Sequence, residues 1–283
     1  MTDPRPRPAL LWRDRVASTQ DEAARRAAAG AGLPLAVATT DQHGGRGRLG
    51  RAWVAPPGGG LALTVALRTA LPATARSWIP LAAGLAALDA LEEIAPGLRA
   101  AAGIGLKWPN DVLAAGDRKL SGILVEARER DTVLIGIGTN LRGPVRDAQG
   151  EPLEAAWLLG EGGLLDRAGI PDPTSADDLA RRLAAALVGA VVRRTAPLED
   201  AAGDAEAAGL RDSYGMSCVT LGREVRIQPL GARGPGDPHA QELRGRAVGI
   251  DPSGRLVVQD PTGVRTPVDV GDVLHAGLAD RSG

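Results

Sequence analysis

A segment rich in glycine and arginine, residues 39–53, constrains most strongly what this chain can form. Its characteristic members are four glycines, three arginines and a closing tryptophan: Gly44, Gly45, Gly47, Gly50, Arg46, Arg48, Arg51 and Trp53. Glycine has no Cβ, so backbone N–H groups can closely surround an anion. Arginine adds planar forks that match carboxylate and phosphate oxygens. The segment therefore predicts a loop that binds an anionic ligand; the alternative is a mobile loop that binds nucleic acid through its charge.

The composition excludes several classes of protein. The formal net charge is −1, so no global basic field favours nucleic acid. The single cysteine, Cys218, rules out an internal disulfide and favours a reducing compartment. The N-terminal residues lack the pattern of a signal peptide, and no apolar run of membrane-spanning length is free of charge. We expect a cytoplasmic protein with no membrane or nucleic-acid partner, whose 283 residues suffice for one large domain or two.

Lysine and asparagine are both rare and clustered. Of the 33 basic residues only Lys107 and Lys119 are lysine, and the only asparagines are Asn110 and Asn140. Because arginine serves wherever a generic surface charge suffices, we expect the lysines to lie where a compact ammonium is needed. All four residues fall within 107–140, which predicts a shared chemical site.

A predicted helix that begins near Ser18 brings free backbone N–H groups to its first turn. Thr19 followed by Glu22 matches a capping box, and a run rich in alanine and arginine continues to Gly30. Beside a glycine-rich loop, such a helix end suits a ligand. The simpler alternative is that Ser18 and Thr19 only cap the helix.

Three strand-like segments carry the rare residues. Residues 106–113 predict a strand that is kinked at Pro109 and presents Asn110 and Asp111, although Pro-Asn-Asp is also common in surface turns. Residues 119–126 and 132–140 predict strands whose interiors contain glycines: Gly122, Gly136 and Gly138. A glycine inside a strand usually marks the close approach of a ligand or of another backbone.

Together these segments predict the ATP-dependent activation of a carboxylate. The glycine- and arginine-rich loop would hold the anionic ligand, and Lys119 would neutralise its oxygens. Asn110, Asp111 and Asn140 would fix a nucleotide phosphate with its Mg²⁺. No Walker-type phosphate loop is present, so the nucleotide must bind in a different cradle. His239 and His275 have no partners at ligand spacing, which argues against a histidine metal site.

The rest of the chain predicts two structural regions. Residues 1–9 predict a disordered arm. Long helices are predicted over 75–95 and from about 174 to 194, with a second helical stretch that ends near 209. Five short strands between 219 and 275 then predict a small β-barrel. Residues 231–242, rich in glycine and proline, predict a flexible loop.

Five motifs resemble, in order and spacing, those of the biotin protein ligases. They are Ser18-Thr19-Gln20, Gly45 to Trp53, Lys107 to Asp111, Lys119 to Glu126 and Gly136 to Asn140. The resemblance covers roughly residues 10–277. It implies an α+β fold, in which residues 10–211 form a catalytic domain with a mixed β-sheet and flanking helices. A small SH3-like β-barrel, residues 212–283, would follow it.

The resemblance also implies an activity, that of a biotin–[biotin carboxyl-carrier protein] ligase (EC 6.3.4.15). Biotin and MgATP would give biotinyl-5′-adenylate and pyrophosphate. One lysine of a biotin carboxyl carrier domain, part of a carboxylase, would then take the biotin. Biotin and ATP would be the substrates, and Mg²⁺ the cofactor.

Motif position implies a role for each site residue. The expected biotin-binding residues are Ser18, Thr19, Gln42, Gly45, Arg46, Lys119, Gly122 and Gly136. The expected ATP-binding residues are Arg48, Arg51, Trp53, Lys107, Asn110, Asp111 and Asn140, with Trp53 stacking near adenine. The expected catalytic residues are Lys119, Arg48, Arg51 and Asp111. Mg²⁺ would be held mainly by the ATP phosphates, with Asp111 as its possible protein ligand.

Several points stay open in this interpretation. Gln20 stands where asparagine is common after Ser-Thr, so its contact is undefined. Only 17 residues precede Ser18, too few for a DNA-binding domain, and we expect a ligase without repressor activity. A homodimer formed through a sheet edge is possible. The alternatives are a lipoate or octanoate protein ligase of the same fold, and a non-catalytic module that senses biotin or binds the carrier.

Overall fold

The computed structural model describes residues 8–128, 131–147, 149–171, 175–229, 242–268 and 271–275. Most of the predicted N-terminal arm (residues 1–7) and of the predicted 231–242 loop (residues 231–241) lie outside the described residues. Ala9, which was assigned to the arm, instead begins the first strand.

A seven-stranded mixed sheet forms the centre of the larger domain, which confirms the predicted α+β class. Its strands are β1 (Ala9–Trp12), β2 (Leu35–Thr39), β3 (Gly60–Arg68), β4 (Gly105–Lys107), β5 (Asp111–Ala114), β6 (Arg118–Arg128) and β7 (Thr132–Asn140). They lie in the order β1-β2-β3-β7-β6-β5-β4, with β1 and β2 parallel and the other neighbours antiparallel. The long central pair β6 and β7 therefore brings the two predicted glycine-containing strands side by side.

Helices cover both faces of this sheet. They are α1 (Thr19–Ala28), α2 (Trp78–Ile94), α3 (Leu98–Ala101), α4 (Leu164–Arg167), α5 (Ala176–Asp200) and α6 (Leu210–Ser217). In β2, Ala36 and Ala38 belong to the main core, whereas Leu35 and Val37 pack with Ala23 of α1. Because neighbouring strand residues point to opposite faces, α1 covers one face and the main core fills the other. Twelve of the 17 residues of α2 are buried, as expected for a helix enclosed by the sheet, α5 and α6.

Several predicted details of these elements were wrong. Ser18, not Thr19, caps α1, because its side chain accepts a hydrogen bond from Asp21 N. Glu22 does not close a capping box and instead pairs with Arg13 and Arg26. Residues 106–113 do not form one kinked strand, since β4 and β5 are the two arms of a tight hairpin with Pro109 and Asn110 in its turn. Helix α5 continues to Asp200, and turns rather than a helix lead to Gly209.

The C-terminal domain contains the five predicted strands. They are β8 (Glu224–Pro229), β9 (Leu243–Ile250), β10 (Leu256–Gln259), β11 (Arg265–Val268) and β12 (Gly271–His275). They form one antiparallel sheet in the order β11-β10-β9-β8-β12. Among the described residues β11 and β12 do not pair, so the SH3-like sheet is present but its closure into a barrel is not observed.

The larger domain and the C-terminal domain are joined by non-covalent contacts as well as by the polypeptide chain. Helix α6 crosses the predicted boundary between residues 211 and 212, and the segment after it adds to the edge of the large sheet. There Cys218 bridges to Leu106, and Val219 N donates to Leu106 O at 2.8 Å. A turn of the C-terminal domain, residues 251–254, docks on α2 and on the β4–β5 hairpin. The boundary itself stays a prediction.

A buried histidine lies where this linking segment meets β12. His275 is 2% exposed, and its Nε2 lies 3.2 Å from Thr220 Oγ1. Its Nδ1 lies 3.0 Å from Arg223 and 3.4 Å from Asp117. Burial, followed by the positive charge of Lys107, lowers the pKa of His275 below its usual value.

This histidine makes the stability of the fold sensitive to mild acid. Below a pH of about 6.5 the unfolded chain protonates His275, whereas the folded chain resists protonation. Stability is therefore present above that pH and is lost as the pH falls toward the depressed pKa. We expect the thermal midpoint to fall more steeply between pH 7.5 and 5.5 in the parent protein than in His275→Gln, as measured by circular dichroism. Parallel pH profiles would contradict this assignment.

In the part of the chain that the structure describes, no helix combines the length and the apolar character that crossing a membrane requires.

Candidate functional site

A cavity of about 510 Å³ lies between the N-terminal end of α1, the 39–53 loop and the centre of the large sheet. Seven of the eight predicted biotin-binding residues line it: Ser18, Thr19, Gln42, Arg46, Lys119, Gly122 and Gly136. Arg48, Trp53 and Asn110 line it too. The fold thus brings together motifs that are more than 100 residues apart in the chain, and we call this space the inner cavity.

A polar cluster forms the end of the inner cavity next to α1. Gln42 Oε1 accepts from Thr19 N at 2.8 Å and from Thr19 Oγ1 at 3.1 Å. Thr64 Oγ1 donates to Thr19 Oγ1 at 2.9 Å. Thr19 lies in α1 and Thr64 in β3, while the backbone of Gln42 bridges to Val16. Thr19 therefore does more than start a helix, since its hydroxyl is held in place at the cavity wall.

Gln20 has a defined place that sequence reasoning left open. Its Nε2 donates to Leu124 O at 3.0 Å, which anchors the amide to β6. Its Oε1 is buried and has no hydrogen-bond partner among the described residues. A buried acceptor without a partner is costly to the fold, so it is suited to receive an N–H group from a bound molecule.

The glycines of β6 and β7 make room for side chains. A Cβ at Gly138 would lie 2.5 Å from Trp53 Cε2, and one at Gly136 would lie 2.9 Å from Gln20 Nε2. A Cβ at Gly122 would lie within 3.2 Å of both Lys119 and Trp53. The sequence predicted close approach of a ligand or a backbone at these glycines. The structure shows that side chains which shape the cavity approach all three, and that a backbone oxygen, Leu124 O, also lies close to Gly136.

Gly138→Ala tests this arrangement. The added methyl group collides with the indole of Trp53, so the ring must leave its place over β7. We expect nucleotide affinity to fall at least about tenfold, the equivalent of about 1.4 kcal/mol, in isothermal titration. Gly215→Ala is the matched control, because a Cβ there meets nothing within 4 Å. Equal affinities in the two variants would show that the position of Trp53 is unimportant.

The 39–53 loop is folded back on itself by two backbone hydrogen bonds. Gly47 N donates to Arg51 O at 2.7 Å, and Trp53 N donates to Gly45 O at 3.0 Å. A Cβ at Gly45 would lie 2.3 Å from Trp53 O, which explains the glycine. We call residues 44–51 the arginine loop.

Two side-chain contacts, which we call ties, hold the arginine loop against the rest of the domain. The first tie is an ion pair that the sequence did not reveal. Arg46 donates to both carboxylate oxygens of Asp21, from Nη2 to Oδ1 at 2.6 Å and from Nη1 to Oδ2 at 2.8 Å. The hydrogen bond from Arg46 holds the pKa of the Asp21 carboxyl below its usual value. Arg46 lines the cavity, but its guanidinium is directed to the first turn of α1. The second tie is Arg48, which donates to Asn110 Oδ1 at 3.0 Å.

Lys119 occupies the central position of the site. Its Nζ lies 2.7 Å from Asp111 Oδ1 and 5.6 Å from the centre of the Trp53 ring. Lys119 also lines a second, more open cavity of about 1200 Å³ on the other side of Trp53, which we call the outer cavity. A cation at the junction of two cavities can contact anionic groups in both.

The outer cavity combines cations with the flat face of a tryptophan. Arg51, Trp53, Lys119, Asn140 and Arg146 are among its lining residues. Residues 145–147, 149 and 153–155 form its far wall, and no motif in the sequence marked them as part of a site. Only the fold reveals this wall, because the side-chain amide of Asn140 joins β6 to the residue that directly follows it. Asn140 Nδ2 donates to Lys119 O at 3.1 Å and to Ala156 O at 3.0 Å.

Three predicted site residues lie outside the linings of both cavities. Gly45 lies within the arginine loop, where its Cα packs against the backbone of Trp53. Asp111 reaches the site only through its ion pair with Lys119. Lys107 stands opposite Asp111 in the hairpin and lies close enough to His275 to depress its pKa. In the described residues, no group of three or more His, Cys, Asp or Glu side chains is placed to hold a metal ion.

Comparison with protein families gives two matches. Residues 14–140 match the biotin/lipoate A/B protein ligase family, and residues 237–275 match the biotin protein ligase C-terminal domain. The first match contains every predicted site residue, and the second contains most of the C-terminal sheet.

Individual relatives agree with these matches. The biotin–[acetyl-CoA-carboxylase] ligase of Mycobacterium tuberculosis is 33% identical over 267 residues, which cover 91% of this chain and 85% of that protein. A biotin protein ligase of Leishmania major, solved with biotinyl-5-AMP, is 25% identical with a TM-score of 0.58, and 92% of this chain and 98% of that chain are covered. A biotin protein ligase of Aquifex aeolicus, solved with biotin and ATP, has the same fold, with a TM-score of 0.67 at 22% identity and coverage of 94% and 98%.

Proposed function

Because the chain belongs to the biotin/lipoate A/B protein ligase family, we propose that it activates biotin with MgATP to biotinyl-5′-adenylate and transfers the biotin to a carrier protein. The reaction is that of a biotin–[biotin carboxyl-carrier protein] ligase, EC 6.3.4.15. The observation that carries the proposal is the position of Lys119, a compact cation at the junction of two cavities of different character.

The inner cavity suits biotin, which has a neutral polar ring system at one end and a carboxylate at the other. The cluster of Ser18, Thr19 and Gln42, with the unpartnered Gln20 Oε1, offers acceptors and hydroxyls to the ring system. Because Gly122 and Gly136 carry no side chains, the face of the sheet leaves room for the aliphatic chain of biotin. Lys119 supplies positive charge for the carboxylate. Arg46 stays paired with Asp21 at the α1 end and there holds the loop against the cavity.

The outer cavity suits ATP. Trp53 offers a flat face for adenine, while Arg51 and Arg146 offer forks for phosphate oxygens. Asn140 acts by holding the cavity wall, and Lys107 by charge from the neighbouring hairpin. Arg48 and Asn110 close the side next to the inner cavity.

Mg²⁺ fits this site only as a partner of the nucleotide. Asp111 pairs with Lys119, and Mg²⁺ commonly uses one or two carboxylates together with substrate phosphates. When bound, the ion would offset phosphate charge, with Asp111 as its protein ligand. The residues themselves bind and orient the two substrates.

In the first step a carboxylate oxygen of biotin attacks the α-phosphorus of ATP. The bond from that phosphorus to the bridging oxygen breaks, and pyrophosphate leaves with the electron pair. Negative charge gathers on the α-phosphoryl oxygens between the two cavities, where Lys119 stabilises it. In the second step the neutral amine of a carrier lysine attacks the carbonyl carbon of the adenylate, AMP leaves, and the amine loses a proton.

The acceptor in this proposal is a biotin carboxyl carrier domain of a carboxylase. A cytoplasmic location, which the single cysteine favours, and the absence of a nucleic-acid partner belong to the same proposal. A homodimer is compatible with it. A lipoate or octanoate ligase is the second candidate, because the matching family includes lipoate enzymes.

Mass spectrometry of a carrier domain decides between these functions, after the domain has been incubated with this protein, ATP and either biotin, lipoate or octanoate. A mass increase equal to one biotinyl group, dependent on ATP and on one carrier lysine, is expected. Labelling by lipoate or octanoate but not by biotin would indicate the second candidate. Binding of biotin without any labelling would indicate a sensing module.

A further inference from the structure

The C-terminal domain contacts the candidate active site through one turn. Residues 251–254 link β9 to β10, and three successive carbonyls of the turn accept hydrogen bonds from the larger domain. Pro252 O accepts from Trp78 Nε1 at 2.7 Å, Ser253 O from Ser77 Oγ at 2.7 Å, and Gly254 O from Trp108 Nε1 at 2.9 Å. Both indole rings are buried.

Hydrogen bonds within the turn itself fix its shape. Asp251 Oδ1 accepts from Ser253 N at 2.9 Å and from Arg255 N at 3.0 Å, and Gly254 N donates to Asp251 O at 2.9 Å. Gly254 has a φ of 78°, which favours glycine. The three carbonyls therefore face the larger domain in a fixed array.

Trp108 connects this array to the arginine loop. Its indole bonds Gly254, and its backbone N–H donates to Thr220 Oγ1 at 3.2 Å. Two residues later Asn110 bonds β6 in both directions, since Asn110 Nδ2 donates to Ile123 O at 3.0 Å and Ile123 N donates to Asn110 O at 2.8 Å. The side-chain oxygen of Asn110, Oδ1, accepts from Arg48.

We propose that Trp108 is a positioning residue, through which the 251–254 turn fixes Asn110 as the anchor of Arg48 and so keeps the arginine loop closed over the adenylate. The hairpin turn that contains Asn110 lies near the edge of the large sheet, where β4 pairs with β5 on one side and with only the short segment at Cys218 and Val219 on the other. The bonds from Trp108 to Gly254 and Thr220 extend this limited support to the turn itself.

Trp78 provides a matched control within the same turn. Its indole donates to Pro252, the same class of bond to a neighbouring carbonyl of the turn, but Trp78 stands on α2, whereas Trp108 lies in the hairpin turn two residues before Asn110. Trp78→Phe and Trp108→Phe thus each remove one indole N–H from the docked turn. Only the second change breaks the connection to the arginine loop.

Hydrogen–deuterium exchange of the ligand-free protein is the first test. The amides of Gly47 and Trp53 report closure, because each is bonded within the folded loop. We expect exchange there to rise at least fivefold in Trp108→Phe and to stay within twofold of the parent in Trp78→Phe, although both variants unfold at lower temperature. The second test is the dissociation rate of preformed biotinyl-adenylate, which should rise at least fivefold in Trp108→Phe alone.

Equal effects of the two variants would overturn the proposal, since they would indicate general loss of domain docking. Unchanged exchange in Trp108→Phe would overturn it too. If that variant does not fold, Thr220→Val removes the hydroxyl that accepts from the Trp108 backbone N–H, with the same expectations. In an Arg48→Ala background, Trp108→Phe should add less than twofold to the dissociation rate, because the connection is already cut.

The dissociation test rests on the proposed function, whereas the exchange test does not. A parent protein that forms no adenylate would refute the proposed function. The exchange of Gly47 and Trp53 would then still decide whether Trp108 holds the loop.

Discussion

Lys119→Arg is expected to lose adenylate synthesis by about 100- to 1000-fold, although the charge is kept. The ammonium of Lys119 fits between Asp111 Oδ1 at 2.7 Å and the Trp53 ring at 5.6 Å, next to the Cβ-free surface of Gly122. A guanidinium is wider, planar and more rigid, so it cannot occupy the same point between the two cavities. A single-turnover assay of pyrophosphate release measures the loss.

Two comparison variants separate geometry from charge. Arg118→Lys makes the reverse exchange one residue earlier in β6, where the side chain donates to Ala115 O at 3.2 Å and belongs to neither cavity lining. We expect that variant to keep the parent rate. Lys119→Gln removes the charge and should be at least as slow as Lys119→Arg. Synthesis by Lys119→Arg within tenfold of the parent would exclude a geometric role for the ammonium.

The thermal midpoint of Lys119→Arg should stay close to that of the parent protein. Lys119 is partly exposed, and a surface ion pair contributes about 0–1 kcal/mol at most to stability. A large loss of stability would mean that slow synthesis reflects unfolding. The expected combination, a stable protein with a slow first step, is specific to a role in the chemistry.

Local patterns predicted the strands well because their signals are local. The period of apolar residues places β7 at Thr132–Asn140 and β10 at Leu256–Gln259, and both elements have those bounds. The β4–β5 hairpin was missed because Pro109 interrupts a strand and turns a chain with equal ease. Which of the two occurs depends on pairing with β6, and that pairing is not a property of the local sequence.

The site was predictable in its motifs but not in its tertiary contacts. Lys119, Asn110 and the arginine loop stood out through rarity and composition. The Arg46–Asp21 pair did not, because any arginine of this loop would suit any of many carboxylates in the sequence. The far wall of the outer cavity, residues 145–147, 149 and 153–155, carries no motif and is defined only by its packing.

The structure also sharpens the role of the arginine loop during catalysis. Its two ties, at Asp21 and at Asn110, hold Arg46, Gly47 and Arg48 against the inner cavity, which all three residues line. A mixed anhydride between a carboxylic acid and AMP reacts with water and with stray amines. Closing the site over it contains the intermediate until the acceptor arrives.

Arg48→Gly is therefore expected to release biotinyl-adenylate roughly 10- to 100-fold faster, while its synthesis continues. Arg48 lines the inner cavity and makes a charge-assisted bond to Asn110 at 3.0 Å. Such bonds are worth roughly 1.5–3 kcal/mol, and each 1.4 kcal/mol is about tenfold in rate. The added glycine also raises the entropy of the open loop. Synthesis persists because Lys119 and Asp111 are untouched.

Escaped adenylate should appear as biotin on lysines outside the acceptor. The chain itself offers only Lys107 and Lys119, so a lysine-rich bystander protein must be added to detect it. Arg15→Gly is the control, since it makes the same exchange at an exposed residue outside both cavities. We expect bystander labelling with Arg48→Gly, measured by mass spectrometry, and none above the parent level with Arg15→Gly. Labelling confined to the acceptor, together with an unchanged release rate, would show that the arginine loop binds the ligand without containing it.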